Sequence, residues 1–88
     1  MEERKYIVYI HKNKINRKVY VGITHYTNPE KRWNYGYKSN PYFQSAINKY
    51  SWNNFEHIIL FRNISKELAC REEQLLISRY KKRGICYN

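Results

Sequence analysis

The chain contains no aspartate. Its seven acidic residues are all glutamates (Glu2, Glu3, Glu30, Glu56, Glu67, Glu72 and Glu73), set against 17 lysines and arginines. A site for two or more divalent cations is usually built from clustered carboxylates, commonly including aspartate. This composition has little to build one from, so any metal chemistry rests on one glutamate and one cation. Cysteine is scarce too: Cys70 and Cys86 have no metal-ligand spacing, which fits a reduced, intracellular protein of the cytoplasm, nucleoid or nucleus. No apolar run approaches the roughly 18 residues of a membrane-spanning helix. The charged start, Met1-Glu2-Glu3-Arg4-Lys5, leads straight into a strand pattern and does not read as a signal peptide. No basic amphipathic helix with a wide apolar face suggests a membrane surface. No repeat, low-complexity tract or Pro/Gly/Ser linker divides the chain, so residues 1–88 read as one small domain with a single thin core.

What is abundant is positive charge and aromatic surface. The net charge is +10 on 88 residues, with ten tyrosines and two tryptophans. Cations interleaved with aromatics suit a polyanion whose phosphates are contacted and whose bases or sugars are packed against.

Two alternating segments, Tyr6-Ile7-Val8-Tyr9-Ile10-His11 and Lys18-Val19-Tyr20-Val21-Gly22-Ile23, predict strands joined by the polar link Asn13-Lys14-Ile15-Asn16. With that link as a four-residue hairpin loop, Tyr9 is expected directly opposite Tyr20. One face of the hairpin is then core-like, with Val8, Ile10, Val19 and Val21. The other carries Ile7, Tyr9, His11, Lys18, Tyr20 and Gly22. Asn28-Pro29-Glu30 reads as the start of a short helix, capped by Asn28 and broken at Gly36. Asn40-Pro41 starts a second, with the apolar stripe Phe43, Ala46, Ile47 and Tyr50. Phe55 to Phe61 is apolar on both faces near its end and predicts a central strand. Ser65 caps a third helix over 66–82, with Lys81, Lys82 and Arg83 at its C-terminus and Gly84 ending it. Residues 85–88 are left either on the sheet edge or loose. The expected fold is α+β: a small, mostly antiparallel sheet of three strands with helices packed on it, in the order β-β-α-α-β-α.

Several runs in this order resemble the GIY-YIG nuclease family, named for two strand motifs. Ile7-Val8-Tyr9 and Tyr20-Val21-Gly22 stand for them, with Ile7 where the name has glycine. The run from Lys12 to Thr24 is similar to the family's "NKINGKVYIGIT". Arg32-Trp33 stands where an "RW" follows, Ala46 to Phe55 resembles "AIxKYGWxNF", Leu68 to Ile77 resembles the helix bearing the family glutamate, and Tyr87-Asn88 resembles the closing "YN".

The resemblance implies a catalytic set of Tyr9, Tyr20, Arg32 and Glu73. Glu72 and Glu73 both fall within the apolar stripe read on the third helix (Leu68, Ala69, Leu75, Leu76, Ile77 and Tyr80), where a carboxylate is costly unless paired or metal-bound. The helical wheel leaves the two glutamates open, with an ordinary ion pair as the plain alternative; the family register chooses Glu73 as sole ligand of one Mg²⁺ or Mn²⁺. Arg32 would grip the scissile phosphate, and Tyr9 or Tyr20 would take a proton from the attacking water, the family leaning to Tyr9 as base and Tyr20 as water or phosphate ligand. Lys18, Gly22, Arg32, Tyr35, Tyr37 and Asn88 are the expected nucleic-acid contacts, with Gly22 leaving room for substrate. Trp33 reads as core packing, and His25 and His57 as structural or solvent-facing. One position departs from the pattern: many members carry histidine or tyrosine one helical turn after the arginine, and here that residue is Gly36, flanked by Tyr35 and Tyr37.

The implied function is a metal-dependent DNA endonuclease domain contacting the phosphate backbone, with weak or no sequence specificity of its own and room for a separate DNA-recognition domain in a longer chain. The loss at Gly36 keeps a second reading open, a degenerate copy that binds nucleic acid without cutting. A third is a small RNA-binding module whose tyrosines stack bases.

Overall fold

A computed structural model describes residues 5–88; Glu2 and Glu3 lie outside them. The elements follow the expected order: β1 (Tyr6–Asn13), β2 (Val19–Thr24), α1 (Glu30–Trp33), α2 (Pro41–Tyr50), a 3-10 turn (Trp52–Asn54), β3 (Phe55–Ile64) and α3 (Lys66–Lys82). The sheet order is β2-β1-β3, with both pairings antiparallel.

The hairpin keeps the expected faces but not the expected register. Tyr9 pairs with Gly22, and Tyr20 with His11. The loop sits one residue further along than the link suggested. The Asn13 side chain accepts from the backbone N–H of Ile15 at 2.8 Å, Arg17 N–H closes on Asn13 C=O at 2.9 Å, and Arg17 takes a left-handed φ of 69°. An asparagine that bonds the backbone two residues on starts a turn at itself, so Asn13 closes β1 instead of entering the loop. The shift moves each partner by two, which preserves side-chain alternation.

The central strand is β1, not β3. Ile7, Val8, Tyr9, Ile10 and His11 are all buried, so both faces of β1 are covered. On β3 only Phe55 is buried, while Leu60 and Phe61 are exposed, as an edge strand allows. The apolar tail of β3 follows a bulge at its pairing with Val8 and Tyr9, and a bulge turns side chains away from strict alternation.

Two aromatic-aliphatic layers cover the sheet. Ile10, Val19 and Val21 pack against Ile58, Leu76, Ile77 and Tyr80, which puts α3 on that face. The other layer joins Tyr37, Phe43, Ala46, Phe55 and Tyr87, with Tyr20, Trp33, Ile47, Tyr50 and Trp52 against it. The caps explain where the two longer helices begin. Asn40 Oδ1 accepts from Phe43 N–H, and Ser65 Oγ from Leu68 N–H, both at 3.1 Å; such caps contribute about 1 kcal/mol each. For α1 the cap residue proper is Pro29, while Asn28 Oδ1 accepts from Glu30 N–H at 3.1 Å. The contact face of α3 is narrower than its sequence suggested: Leu68 and Leu75 are exposed, and Ala69, Leu76, Ile77 and Tyr80 do the packing. Gly84, at φ +70°, ends α3. The chain then returns to the free edge of β2, where Cys86 bridges Val19 in parallel and Tyr87 N–H donates to Val19 C=O at 2.8 Å. Cys70 and Cys86 are free thiols. Among the described residues, no helix is long and apolar enough to cross a membrane.

Candidate active site

Tyr9 lies at the centre of β1 with 1% of its surface exposed. Its ring lies over Gly22: a Cβ at Gly22 would stand 2.5 Å from both Tyr9 Cζ and the hydroxyl oxygen. The space that Gly22 leaves is therefore filled by Tyr9, not left open to substrate. Trp33 meets the same ring edge-on at 5.6 Å, so Trp33 packs the site from α1.

Tyr20, two positions before Gly22, is half-buried. Its ring stacks flat on Phe43 at 4.5 Å and meets Tyr37 edge-on at 4.9 Å. Arg32 reaches in from α1. One guanidinium nitrogen donates to Gly36 C=O at 3.1 Å, and the guanidinium carbon stands 4.7 Å from the centre of the Tyr37 ring. Of its five N–H groups, most remain for a phosphate. Gly36 has φ +81°, a left-handed turn that favours glycine. This geometry accounts for the missing side chain one turn after Arg32. The next residue supplies a phenol instead: Tyr37 is 1% exposed, and its hydroxyl lies 2.7 Å from His11 Nε2 and 3.5 Å from the Tyr9 hydroxyl.

Glu73 is half-buried on α3, between Ala69 and the Leu76/Ile77 pair. Among the described residues it makes no salt bridge and no hydrogen bond, and burial alone holds its carboxyl above the usual range. In a chain with 17 lysines and arginines an ordinary ion pair would have been easy to form, and none is present among the described residues. Tyr9 and Tyr20 each feel both the Arg32 guanidinium and the Glu73 carboxylate. Burial dominates both phenols. It raises Tyr9, with the Tyr37 hydrogen bond and Arg32 pulling down against it, and pushes Tyr20 up to about 12. The residues of the site thus keep both tyrosines protonated near neutrality, and ionising one requires added positive charge. A lone carboxylate without partners, whose charge is felt by two phenols that also feel an arginine, suits one hard cation whose remaining ligands are water and phosphate oxygen. No cluster of three His, Cys, Asp or Glu exists among the described residues.

The other expected contacts scatter. Lys18 Nζ donates to the Tyr42 hydroxyl at 2.7 Å, beside a cavity of about 240 Å³ that Lys49 and Tyr50 also line. Tyr35 is 73% exposed at the end of α1. Tyr37 points inward instead of toward a surface ligand. The Asn88 amide is used twice on one residue, accepting from Val21 N–H and donating to Val21 C=O, both at 2.8 Å. It extends the ladder of β2 beside Tyr20 and Gly22.

His57, expected to be structural or solvent-facing, lies instead against a buried histidine of the site face. Its Nδ1 lies 2.9 Å from His11 Nδ1, the two residues being register partners of β1 and β3. Only the pairing of β1 with β3 brings them together, and no local sequence signal announces it.

Fold and site together define a small α+β nuclease domain. The GIY-YIG catalytic-domain profile matches residues 5–86, and the chain belongs to that family. Among solved structures it is similar to the catalytic domain of the homing endonuclease I-TevI, at 31% identity and a TM-score of 0.75 over 94% of this chain and 96% of that one. A glutamate-to-alanine mutant of the catalytic domain of intron endonuclease I-TevI matches at 32% identity and a TM-score of 0.75, over 96% and 92% of the two chains. Among curated protein sequences, none matches.

Proposed function

We propose that this domain is a divalent-metal-dependent endonuclease that hydrolyses DNA phosphodiester bonds, reading the phosphate backbone and little of the sequence. The observation that carries the proposal is the half-buried Glu73 carboxylate, which has no ion-pair or hydrogen-bond partner among the described residues. The similarity to a homing endonuclease catalytic domain supports DNA as substrate. When bound at Glu73, Mg²⁺ or Mn²⁺ would supply positive charge at the scissile phosphate and favour ionised oxygen nearby. Tyr9 takes the proton of the attacking water as that oxygen bonds to phosphorus and the opposite P–O bond breaks; the leaving oxygen is protonated from solvent. Arg32, pinned at one nitrogen by Gly36, holds the phosphate with its remaining donors and stabilises the charge of the transition state. Tyr20, stacked on Phe43, orients water or a phosphate oxygen. Gly36 does not argue for a dead site, because Tyr37 brings a phenol within 3.5 Å of Tyr9 from the adjacent position. The test is Glu73→Ala: cleavage is lost while the fold and DNA binding persist. Loss of activity in Glu72→Ala with retention in Glu73→Ala would overturn the assignment.

A further inference from the structure

His11 has no surface exposure at all, and a buried imidazole needs a reason. Here both ring nitrogens are engaged. Nε2 lies 2.7 Å from the Tyr37 hydroxyl, and Nδ1 lies 2.9 Å from His57 Nδ1. Tyr37 in turn lies 3.5 Å from the Tyr9 hydroxyl. His57 is partly exposed on the edge strand, stacked on Trp52 at 4.3 Å. A continuous chain of hydrogen-bonding atoms thus runs from the buried phenol of Tyr9 to the surface.

Two nitrogens 2.9 Å apart hold one proton between them. A neutral imidazole carries its proton on one nitrogen only, so the chain has two fully satisfied settings. In the first, Tyr9 donates to Tyr37, Tyr37 to His11 Nε2, and His11 Nδ1–H to His57 Nδ1, leaving the Nε2 proton of His57 at the outer end. In the second, every bond is reversed: His57 Nδ1–H donates to His11, His11 Nε2–H to Tyr37, and Tyr37 to a Tyr9 phenolate. Moving one proton across each link converts the first into the second. One O–H bond breaks at Tyr9, one N–H bond breaks at His57 Nε2, and water accepts the released proton. Nothing is oxidised or reduced.

We infer that Tyr37, His11 and His57 form a proton relay that restores the basic form of Tyr9 between turnovers by delivering its proton to solvent at His57. The inference rests on Tyr9 being the base of the proposed endonuclease. The longest link, between the two phenols, shortens once Tyr9 is ionised and the bond becomes charge-assisted. Both imidazoles are kept neutral, as a relay needs. Burial, with His57 and Arg32 of α1, takes His11 down to about 2, and burial with Lys14 of the β1–β2 turn lowers His57. The other groups facing the pair are the uncharged rings of Trp33, Trp52, Tyr20 and Phe43.

The experiment compares wild type and His57→Ala on a DNA duplex, in dilute buffer without azoles. Removing a proton-transfer partner costs a factor of about 10² or more in the step it serves, so steady-state turnover of His57→Ala falls by at least roughly tenfold. The first turnover of protein pre-equilibrated with Mg²⁺ and started by adding DNA stays within about twofold, because the cation has already let one equivalent of Tyr9 ionise. Added imidazole, methylimidazole and triazole restore turnover in the order of their basicity, whereas a merely filled cavity would respond to shape. Circular-dichroism melts check the fold. Should His57→Ala melt without cooperativity, His57→Gln replaces it, keeping a hydrogen bond to His11 without a transferable ring proton. Unchanged steady-state turnover, equal loss in first and later turnovers, or rescue indifferent to azole basicity each overturns the relay while the endonuclease stands. A wild-type protein that does not cut overturns the endonuclease reading and the relay with it.

Discussion

Gly22→Ala adds one methyl group at the most constrained point of the site. The new Cβ would sit 2.5 Å from Tyr9 Cζ and the hydroxyl oxygen, and 2.8 Å from Cε1, well inside carbon van der Waals contact. Neither partner yields cheaply. Gly22 is paired with Tyr9 in the antiparallel ladder. The Tyr9 ring, 1% exposed, is bounded by Trp33, His11 and Tyr37. Overpacking of this kind costs roughly 1–3 kcal/mol. In a domain of this size each kcal/mol moves the melting temperature by about 4–8 °C, so Gly22→Ala should melt about 4–24 °C below wild type. Activity should fall further than stability does. Tilting the ring displaces the Tyr9 hydroxyl from Tyr37 and from its place near Arg32, and a misplacement of about 1 Å costs on the order of 10² in rate. Thermal melts and plasmid nicking at a temperature where both proteins are folded separate the two effects. A Gly22→Ala protein with wild-type melting and turnover would show that Gly22 has some other purpose than seating Tyr9.

Three further outcomes are expected. Arg32→Lys should lower cleavage by roughly 10²-fold or more, because a point charge replaces a planar fork whose transition-state contacts are worth a few kcal/mol; kinetics on a nicked-product assay would show it. Glu73→Gln should abolish cleavage yet raise the melting temperature near neutral pH. A carboxyl raised by burial holds its proton more tightly folded than unfolded, so the native state gains as pH falls through the raised value and bears the penalty above it, where Glu73 is ionised in both states. The stabilisation should therefore shrink as both proteins are melted at progressively lower pH. Binding of the Glu73→Ala protein to unrelated duplexes should weaken by about 10³ or more between roughly 50 and 200 mM salt if six or more phosphates are engaged, with little difference between sequences. A preference of about 10³ for one duplex would reveal a recognition surface.

The order of elements was legible because each carried its own punctuation: Asn40-Pro41, Ser65 and Gly84 all act where local chemistry places them. The hairpin register was not, because one side-chain bond from Asn13 and one left-handed residue, Arg17, decide where the loop closes. The exchange of β1 and β3 as central strand escaped for a related reason. The face of β1 carrying Tyr9 and His11 reads as polar, yet it is buried by aromatic neighbours whose hydroxyl and ring nitrogens satisfy one another. Polarity alone does not mark a surface. The catalytic candidates Tyr9, Tyr20, Arg32 and Glu73 come from family register, and both phenols feel the charges of Arg32 and Glu73. What no motif could supply is the link from Tyr9 through Tyr37 and His11 to His57, which depends on residues far apart in sequence meeting across two strands and a turn.

The most direct measurement is conversion of supercoiled plasmid to nicked or linear DNA by the purified wild-type and Glu73→Ala proteins, each with Mg²⁺, with Mn²⁺ and with a chelator. Cutting by wild type that requires the cation and vanishes in Glu73→Ala, while both proteins still bind the plasmid, is the result expected. Cutting in the presence of the chelator, undiminished cutting by Glu73→Ala, or no cutting by wild type with either metal would contradict the account.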